Sequence, residues 1–298
     1  MQIQLDRPTS ANPLHDRLFA GLKDEPLNFL TSSAGMVRLI DRASRDDCTI
    51  EEAANLVHNE PLVSAKMVAM ANSAAYSRGD RIVTNVKDAL GMLGLGILKA
   101  VASAVLVGQM ADKAAQPNQL VVSRLWAHSI EVAALSSVLA RNFTNVPPET
   151  ALFAGIVHEI AGFYLLSKAD KLVDLAGSDV VGVVHRDEAR HEDASSSMLA
   201  VGTRRLLHVL QVPDEVSDAI DGLWRGYLIV PPETLADTLL IANILAATPS
   251  PFDSADRKAK ATGLDLDEVL SKSEVAVVLN QAYDQVRSIQ QAFMKRGA

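Results

Sequence analysis

One cysteine, Cys48, stands in a chain of 298 residues, which excludes a disulfide framework and a thiolate zinc site and fits a reducing compartment. Its neighbours Asp46 and Asp47 favour the neutral thiol, so no nucleophilic role is expected of it. Positive charge is scarce as well: 28 Lys and Arg face 36 Asp and Glu, the net charge is −8, and basic residues gather only in short groups such as Arg204-Arg205. A surface that tracks phosphates shows as a basic patch or stripe, so nucleic acid is not an expected partner. No run of about 18 uncharged apolar residues is present. The longest apolar stretch, Leu90 to Met110, is broken by four glycines and Lys99 and reads as helix-turn-helix instead of a membrane span. The N-terminal MQIQLDRPTS has no charged region leading into an apolar one, so no secretory leader is expected. These absences together point to a cytoplasmic location, to protein or small-molecule partners, and to no membrane association.

What the chain does have is apolar periodicity. At 48% hydrophobic it can bury a full core, as one large domain or two lobes. Residues 1–26, with Pro13 and Pro26, read as an irregular lead-in. From Leu27 apolar residues recur at helical spacing through Leu30, Met36, Leu39 and Ile40 to about Ala43. Thr49-Ile-Glu-Glu52 is a capping box that opens a helix through Val57, and Pro61 suits the first turn of a helix over Leu62 to Ala74. Asn72 and Ser73 interrupt that helix near its end. They either terminate it through backbone hydrogen bonds, or Asn72 lines a groove or locks the loop from Tyr76 to Val83. Arg78-Gly79-Asp80 has turn chemistry, and Thr84 can cap a helix over Val86 to Leu93. Gly94 is placed to close it in a left-handed conformation before a helix over Leu95 to Met110. Ala111 to Asn118, small and polar with Pro117, is the best internal boundary.

In the second half, Val121 to Arg141 predicts a long amphipathic helix with His128, Val132, Leu135 and Leu139 on one face. His128 therefore points inward, as a core histidine or a ligand. The tetrapeptide PPET, at Pro147 to Thr150 and Pro231 to Thr234, precedes an apolar helix each time and reads as helix-start grammar without an internal repeat. The first launches a helix over 150 to 166 that carries His158 and Glu159 in the otherwise apolar ALFAGIVHEIAG. Consecutive residues diverge by about 100° around a helix, so this pair can converge only on a groove. Two histidines from separate helices plus a carboxylate suit a divalent transition metal. HRDEARHED, from His185 to Asp193, is either a second metal cluster or, with Arg186 and Arg190 among the acids, a solvated salt-bridged face; the second is expected. Ala194 to Leu207 is expected to be helical with Ser195, Ser196 and Ser197 exposed. Helices over Glu215 to Leu223, Leu235 to Ala247 and Leu266 to about Met294 follow, with a loop at 249–263. The apolar stripe of the last helix, Val275 to Phe293, packs on the same domain or presents a partner surface.

Trp126-Ala-His128-Ser, and about thirty residues later Ala154-Gly155-Ile-Val-His158-Glu159-Ile, resemble the core of HD-type metal-dependent phosphohydrolases. More specifically, Ala65-Lys-Met-Val-Ala-Met-Ala-Asn72-Ser73-Ala followed by Val86-Lys-Asp-Ala-Leu-Gly-Met-Leu93-Gly94 resembles the HDOD domain, a regulatory relative of that group. The similarity runs from about Leu27 to Leu210-Gln-Val-Pro213. It implies an all-α, multi-helical HD-like bundle in two helical lobes with no significant sheet. The implied organisation is a lead-in over 1–26, an HDOD domain over 27–213 with a lobe break near 111–120, and C-terminal helices over 214–298 completing the HD-like lobe.

The resemblance also exposes departures. His158-Glu159 stands where the metal-binding relatives have His-Asp, and Asn243 in Leu239-Leu-Ile-Ala242-Asn243 stands where they have a later aspartate. Asp221-Gly222-Leu223-Trp224 stands where many carry a His-His pair. At most three ligands remain, His128, His158 and Glu159, and no second-metal set is evident. The expectation is a noncatalytic bacterial signal-transduction module that binds other signalling proteins and is modulated by a nucleotide-type small ligand. The regulatory groove is assigned to Asn72, Ser73, His128, His158, Glu159 and Asn243, with no catalytic residue and no metal or other cofactor expected. The alternative is an HD-type phosphohydrolase of a nucleotide or cyclic dinucleotide, with a divalent metal on His128 and His158 and with Glu159 as third ligand or base.

Overall fold

Several helices in this chain begin where a side chain or a proline relieves the unpaired amides of the first turn. The computed structural model describes residues 34–77, 82–112, 118–169, 179–210, 212–224, 229–253 and 274–294. The first helices are α1 (Ala34–Ala43), α2 (Ile50–His58) and α3 (Pro61–Ala71). The expected capping box opens α2: the Glu52 amide donates to Thr49 Oγ1 at 3.2 Å, and the Thr49 amide to Glu52 Oε2 at 3.0 Å. Arg42 on α1 reaches both Glu52 and Asp47, at 2.7 and 2.6 Å, and so joins the two helices at the box. Pro61 is the first residue of α3, where its missing N–H costs nothing.

α4 (Val86–Asp112) is broken at Gly94, whose φ of 79° and ψ of 175° suit glycine alone. The closing glycine read from the sequence is thus where the chain bends. Beyond it every residue from Ala100 to Val107 is buried, because α1, α2 and α3 pack on α4 together with α6 (Pro148–Val157) and α7 (Ile160–Lys168). The two stretches Val86–Asp112 and Pro148–Lys168 are long and apolar enough to cross a membrane, yet 61% and 89% of their apolar windows lie buried inside the protein, as core helices do. α5 (Gln119–Phe143) lies against α6 so closely that a Cβ on Gly155 would sit 2.4 Å from Ala133 Cα. The remaining helices are α8 (Val180–Glu188), α9 (Met198–Val209), α10 (Asp214–Gly222), α11 (Leu235–Leu245), α12 (Glu274–Gln281) and α13 (Tyr283–Met294). Among the described residues there is no strand, and one hydrophobic cluster runs from Met36 on α1 to Phe293 on α13.

Several boundaries differ from expectation. The helix predicted over 150–166 breaks at His158 and Glu159 into α6 and α7, with Glu159 at φ −101°, ψ 18°. Buried polar side chains that find tertiary partners outweigh helical continuation there. The two PPET segments act in different registers. Pro148 and Glu149 lie in the first turn of α6, whereas Thr234 is the N-cap of α11 and boxes with Asp237. Residues 194–196 form a 3₁₀ turn, and Ser197 is a buried N-cap of α9 instead of an exposed helical serine. The last helix is divided near Ala282. Its stripe (Val275, Ala282, Val286, Ile289, Phe293) is buried on the same body, while Val277, Tyr283 and Met294 are exposed. The lead-in at 1–26, the helix start at Leu27 and Leu30, the turn at 78–80, most of the boundary at 111–118 and residues 254–273 lie outside the described residues.

Candidate functional site

The apolar face of α5 carries His128 into the core, where it is fully buried. The break between α6 and α7 delivers the other two polar groups. His158 is the C-cap of α6 and Glu159 the N-cap of α7, but the Glu159 carboxylate makes no capping bond to α7. The sequence places His158 and Glu159 on diverging directions; the broken backbone instead gathers them, and donor atoms of His128, His158 and Glu159 all lie within 4.8 Å of one another. The three are 0%, 3% and 9% exposed.

Backbone carbonyls set the histidine tautomers. His128 Nδ1 lies 2.8 Å from the Thr248 carbonyl and His158 Nδ1 2.8 Å from the Gly155 carbonyl, so each Nδ1 carries hydrogen and donates. In neutral rings both Nε2 atoms then present lone pairs, and these face one another at 3.3 Å. Two lone pairs at that distance call for a positive centre between them, a shared proton or a metal ion. Tetrahedral zinc with nitrogen ligands at about 2.0–2.1 Å separates those nitrogens by about 3.3–3.4 Å. The donor set therefore fits a divalent transition ion held by His128, His158 and Glu159, with Thr248 and Gly155 as its outer support. Such an ion supplies Lewis acidity and a more acidic bound water.

A further carboxylate completes the support. Glu131, on α5 one turn beyond His128, accepts from the amides of Ala247 and Thr248 at 3.0 and 3.1 Å. α5 thus grips the segment after α11 from two sides, with Glu131 on its N–H groups and His128 on its C=O. Sequence reasoning missed Glu131, although its i+3 spacing from His128 on a core-facing helix was a readable signal.

The other expected site residues are placed differently. Asn72 caps the end of α3, and its amide makes a two-way bridge to Val83: Nδ2 donates to the Val83 carbonyl at 2.7 Å and Oδ1 accepts from its N–H at 2.8 Å. Nδ2 also donates to the Val68 carbonyl at 2.9 Å, so Asn72 both ends the helix and locks the loop. Ser73 Oγ donates to the Met70 carbonyl at 2.7 Å. Asn243 lies on α11, with Oδ1 buried and without a hydrogen-bond partner. Asp221, where relatives approach an imidazole pair, bonds Arg204 at 2.6 Å. Asp187 corrects the solvated reading of HRDEARHED: it is 2% exposed and accepts from the Met198 amide at 2.6 Å, which caps the start of α9. The Cys48 thiol is pushed up as the sequence implies, though burial contributes more than Asp47.

Comparison with known proteins bears on the family and the fold. The HDOD domain model matches residues 31–222. A Shewanella amazonensis SB2B protein described as a candidate metal-dependent phosphohydrolase is 19% identical with a TM-score of 0.64, covering 94% of this chain and 99% of its own. An HDOD domain protein of unknown function from Geobacter sulfurreducens is 18% identical with a TM-score of 0.56, covering 94% and 98%. A candidate signal transduction protein from Marinobacter aquaeolei VT8 is 17% identical with a TM-score of 0.54, covering 96% of this chain and 68% of its own. No curated protein matches. At these identities the solved structures establish a shared fold.

Proposed function

The chain belongs to the HDOD domain family, and from that membership we propose that it is a noncatalytic regulatory module of bacterial signal transduction, acting through protein partners and modulated by a small ligand of nucleotide type. The observation that carries this reading is the burial of the His128–His158–Glu159 cluster where α5, the α6–α7 break and the segment after α11 meet. A group so placed sets how helices pack, so its charge or occupancy can be read elsewhere on the surface. The neutral amide of Asn243, at the position the resemblance gives to a metal-binding aspartate, supports a centre that has given up turnover. In this reading His128, His158, Glu159 and Asn243 form the regulatory centre, and Asn72 and Ser73 hold the neighbouring α3–α4 connection. A cytoplasmic setting is supported by the single cysteine. The Marinobacter relative's description as a signal transduction protein supports the same reading.

The test pairs two measurements on the full chain. Protein loaded with manganese, iron or zinc is expected to hydrolyse neither nucleotides nor cyclic dinucleotides, while crosslinked affinity capture recovers a specific partner that His158→Ala loses. The second reading, an HD-type phosphohydrolase, is favoured by the facing Nε2 atoms at metal-bridging distance. Metal-dependent turnover abolished by His158→Ala would establish it and end the noncatalytic reading.

A further inference from the structure

A cavity of about 480 Å³ opens between α3, the C-terminal half of α4, the start of α5 and the end of α13. Interiors pack with few voids larger than a water molecule, and volumes of roughly 300–1,000 Å³ are those of small-molecule sites. We propose that this cavity binds a small amphipathic acid, with an aromatic or branched apolar body seated against Trp126 and one anionic group at Lys66.

Gly108 leaves room in this wall: within 4 Å a Cβ built there meets only Trp126 Cη2, at 3.8 Å, and both residues line the cavity. On its other side Trp126 meets the Phe163 ring of α7 edge-on, centroids 6.2 Å apart, which fixes the indole as a wall. At the mouth, Leu62 and Met294 are 39% and 50% exposed, so apolar surface rims the opening. The lining also holds one half-buried cation. Lys66 Nζ donates to the Phe293 carbonyl at 2.7 Å, and burial lowers its pKa, so a ligand anion would meet a partly desolvated ammonium. Asp112 lines the same cavity but is exposed, and its charge is solvated. Of the two charged side chains in the lining, Lys66 is thus the more buried.

This site is separate from the histidine cluster. Trp126 and His128 are two residues apart and diverge by about 200° around α5, so cavity and cluster open on different faces of one helix. The inference stands whatever the cluster holds. Because Phe293 and Met294 close one wall, an occupant would bind α13 to α3, α4 and α5 at once and stabilise the docked C-terminal helix.

Two probes of the same aromatic body test it in the full chain: 8-anilinonaphthalene-1-sulfonate and its sulfonate-free counterpart N-phenyl-1-naphthylamine. A Trp224→Phe background leaves Trp126 as the single tryptophan, so energy transfer to the probe reports position. One-to-one binding with transfer from Trp126 is expected. Gly108→Leu, which fills the cavity, and Ser123→Phe, which blocks it from an exposed lining position, should each raise Kd about tenfold or more with the melting temperature unchanged. Lys66→Met should weaken the sulfonate about fivefold more than the neutral probe. Unchanged affinity in the blocking variants would overturn the site, and equal weakening of both probes by Lys66→Met would overturn the acid. If Gly108→Leu fails to fold, Ser123→Phe decides the matter alone.

Discussion

His128 Nε2 and His158 Nε2 stand 3.3 Å apart, and the Nδ1 of each ring is held from behind by a backbone carbonyl. Removing one leaves buried partners without hydrogen bonds. His158→Ala is expected to cost about 1–3 kcal/mol in urea unfolding, since it strands the buried Gly155 carbonyl. A loss below about 0.5 kcal/mol, the range of a neutral surface change, would show that the contact is idle.

Chelator-stripped protein given zinc should take up one ion per chain and melt at a higher temperature, by an amount equivalent to about 2.7 kcal/mol at a hundredfold excess over Kd. His158→Ala should show neither effect. Asn243→Asp should reverse the order of stabilities: less stable than the parent when stripped, through a buried carboxylate, and more strongly stabilised by the ion. Calorimetry with and without zinc reads both.

Glu131→Ala removes an acceptor shared by two backbone amides and is expected to destabilise by about 1.5–3 kcal/mol. Amide hydrogen exchange at Ala247 and Thr248 should quicken more than exchange within α11. Equal changes in both places would mean that Glu131 supports the helix and not the segment after it.

Asn72→Ala should cost about 1–2 kcal/mol by opening the bridge to Val83, with exchange at the Val83 amide accelerated. Asn72→Asp keeps the acceptor but loses the donor, and should fall between the two. Partner capture by Asn72→Ala at a temperature where it remains folded separates this local role from a direct one.

The Glu52 carboxyl is held below its ordinary 4.5, first by the Thr49 backbone amide and then by Arg42. A carboxyl lowered in the folded state contributes stability above its unfolded value and loses it as pH falls through the folded one. Glu52→Gln should therefore be less stable than the parent at neutral pH, with the gap closing as pH drops below 4.5. Thr49→Ala, which removes the other half of the box, should cost about 1 kcal/mol. Acid titrations of thermal unfolding give both results.

Local grammar carried most of the fold. The box at Thr49, the proline at 61 and the glycine at 94 each have a reason that acts within a few residues, and each lies where its spacing says. The face of α5 that holds His128 is likewise written in its period. What the order of residues does not state is the bend at His158 and Glu159, because apolar residues run unbroken on both sides and the imidazole that meets His158 comes from α5, 30 residues away. Asp187 was hidden for the opposite reason: charged neighbours made it look solvated, while its partner is the amide of Met198, brought near by the turn between α8 and α9.

Gly155 gives position 155 an alphabet of one letter. Its missing side chain lets α6 lie on the backbone of Ala133, and its carbonyl holds the His158 ring, so a single methyl there acts as a wedge with no flexible group to yield. Gly155→Ala would thus prise the imidazoles apart while leaving every polar atom of the cluster in the chain. It separates the spacing of the pair from its chemistry, which no substitution of the histidines themselves can do.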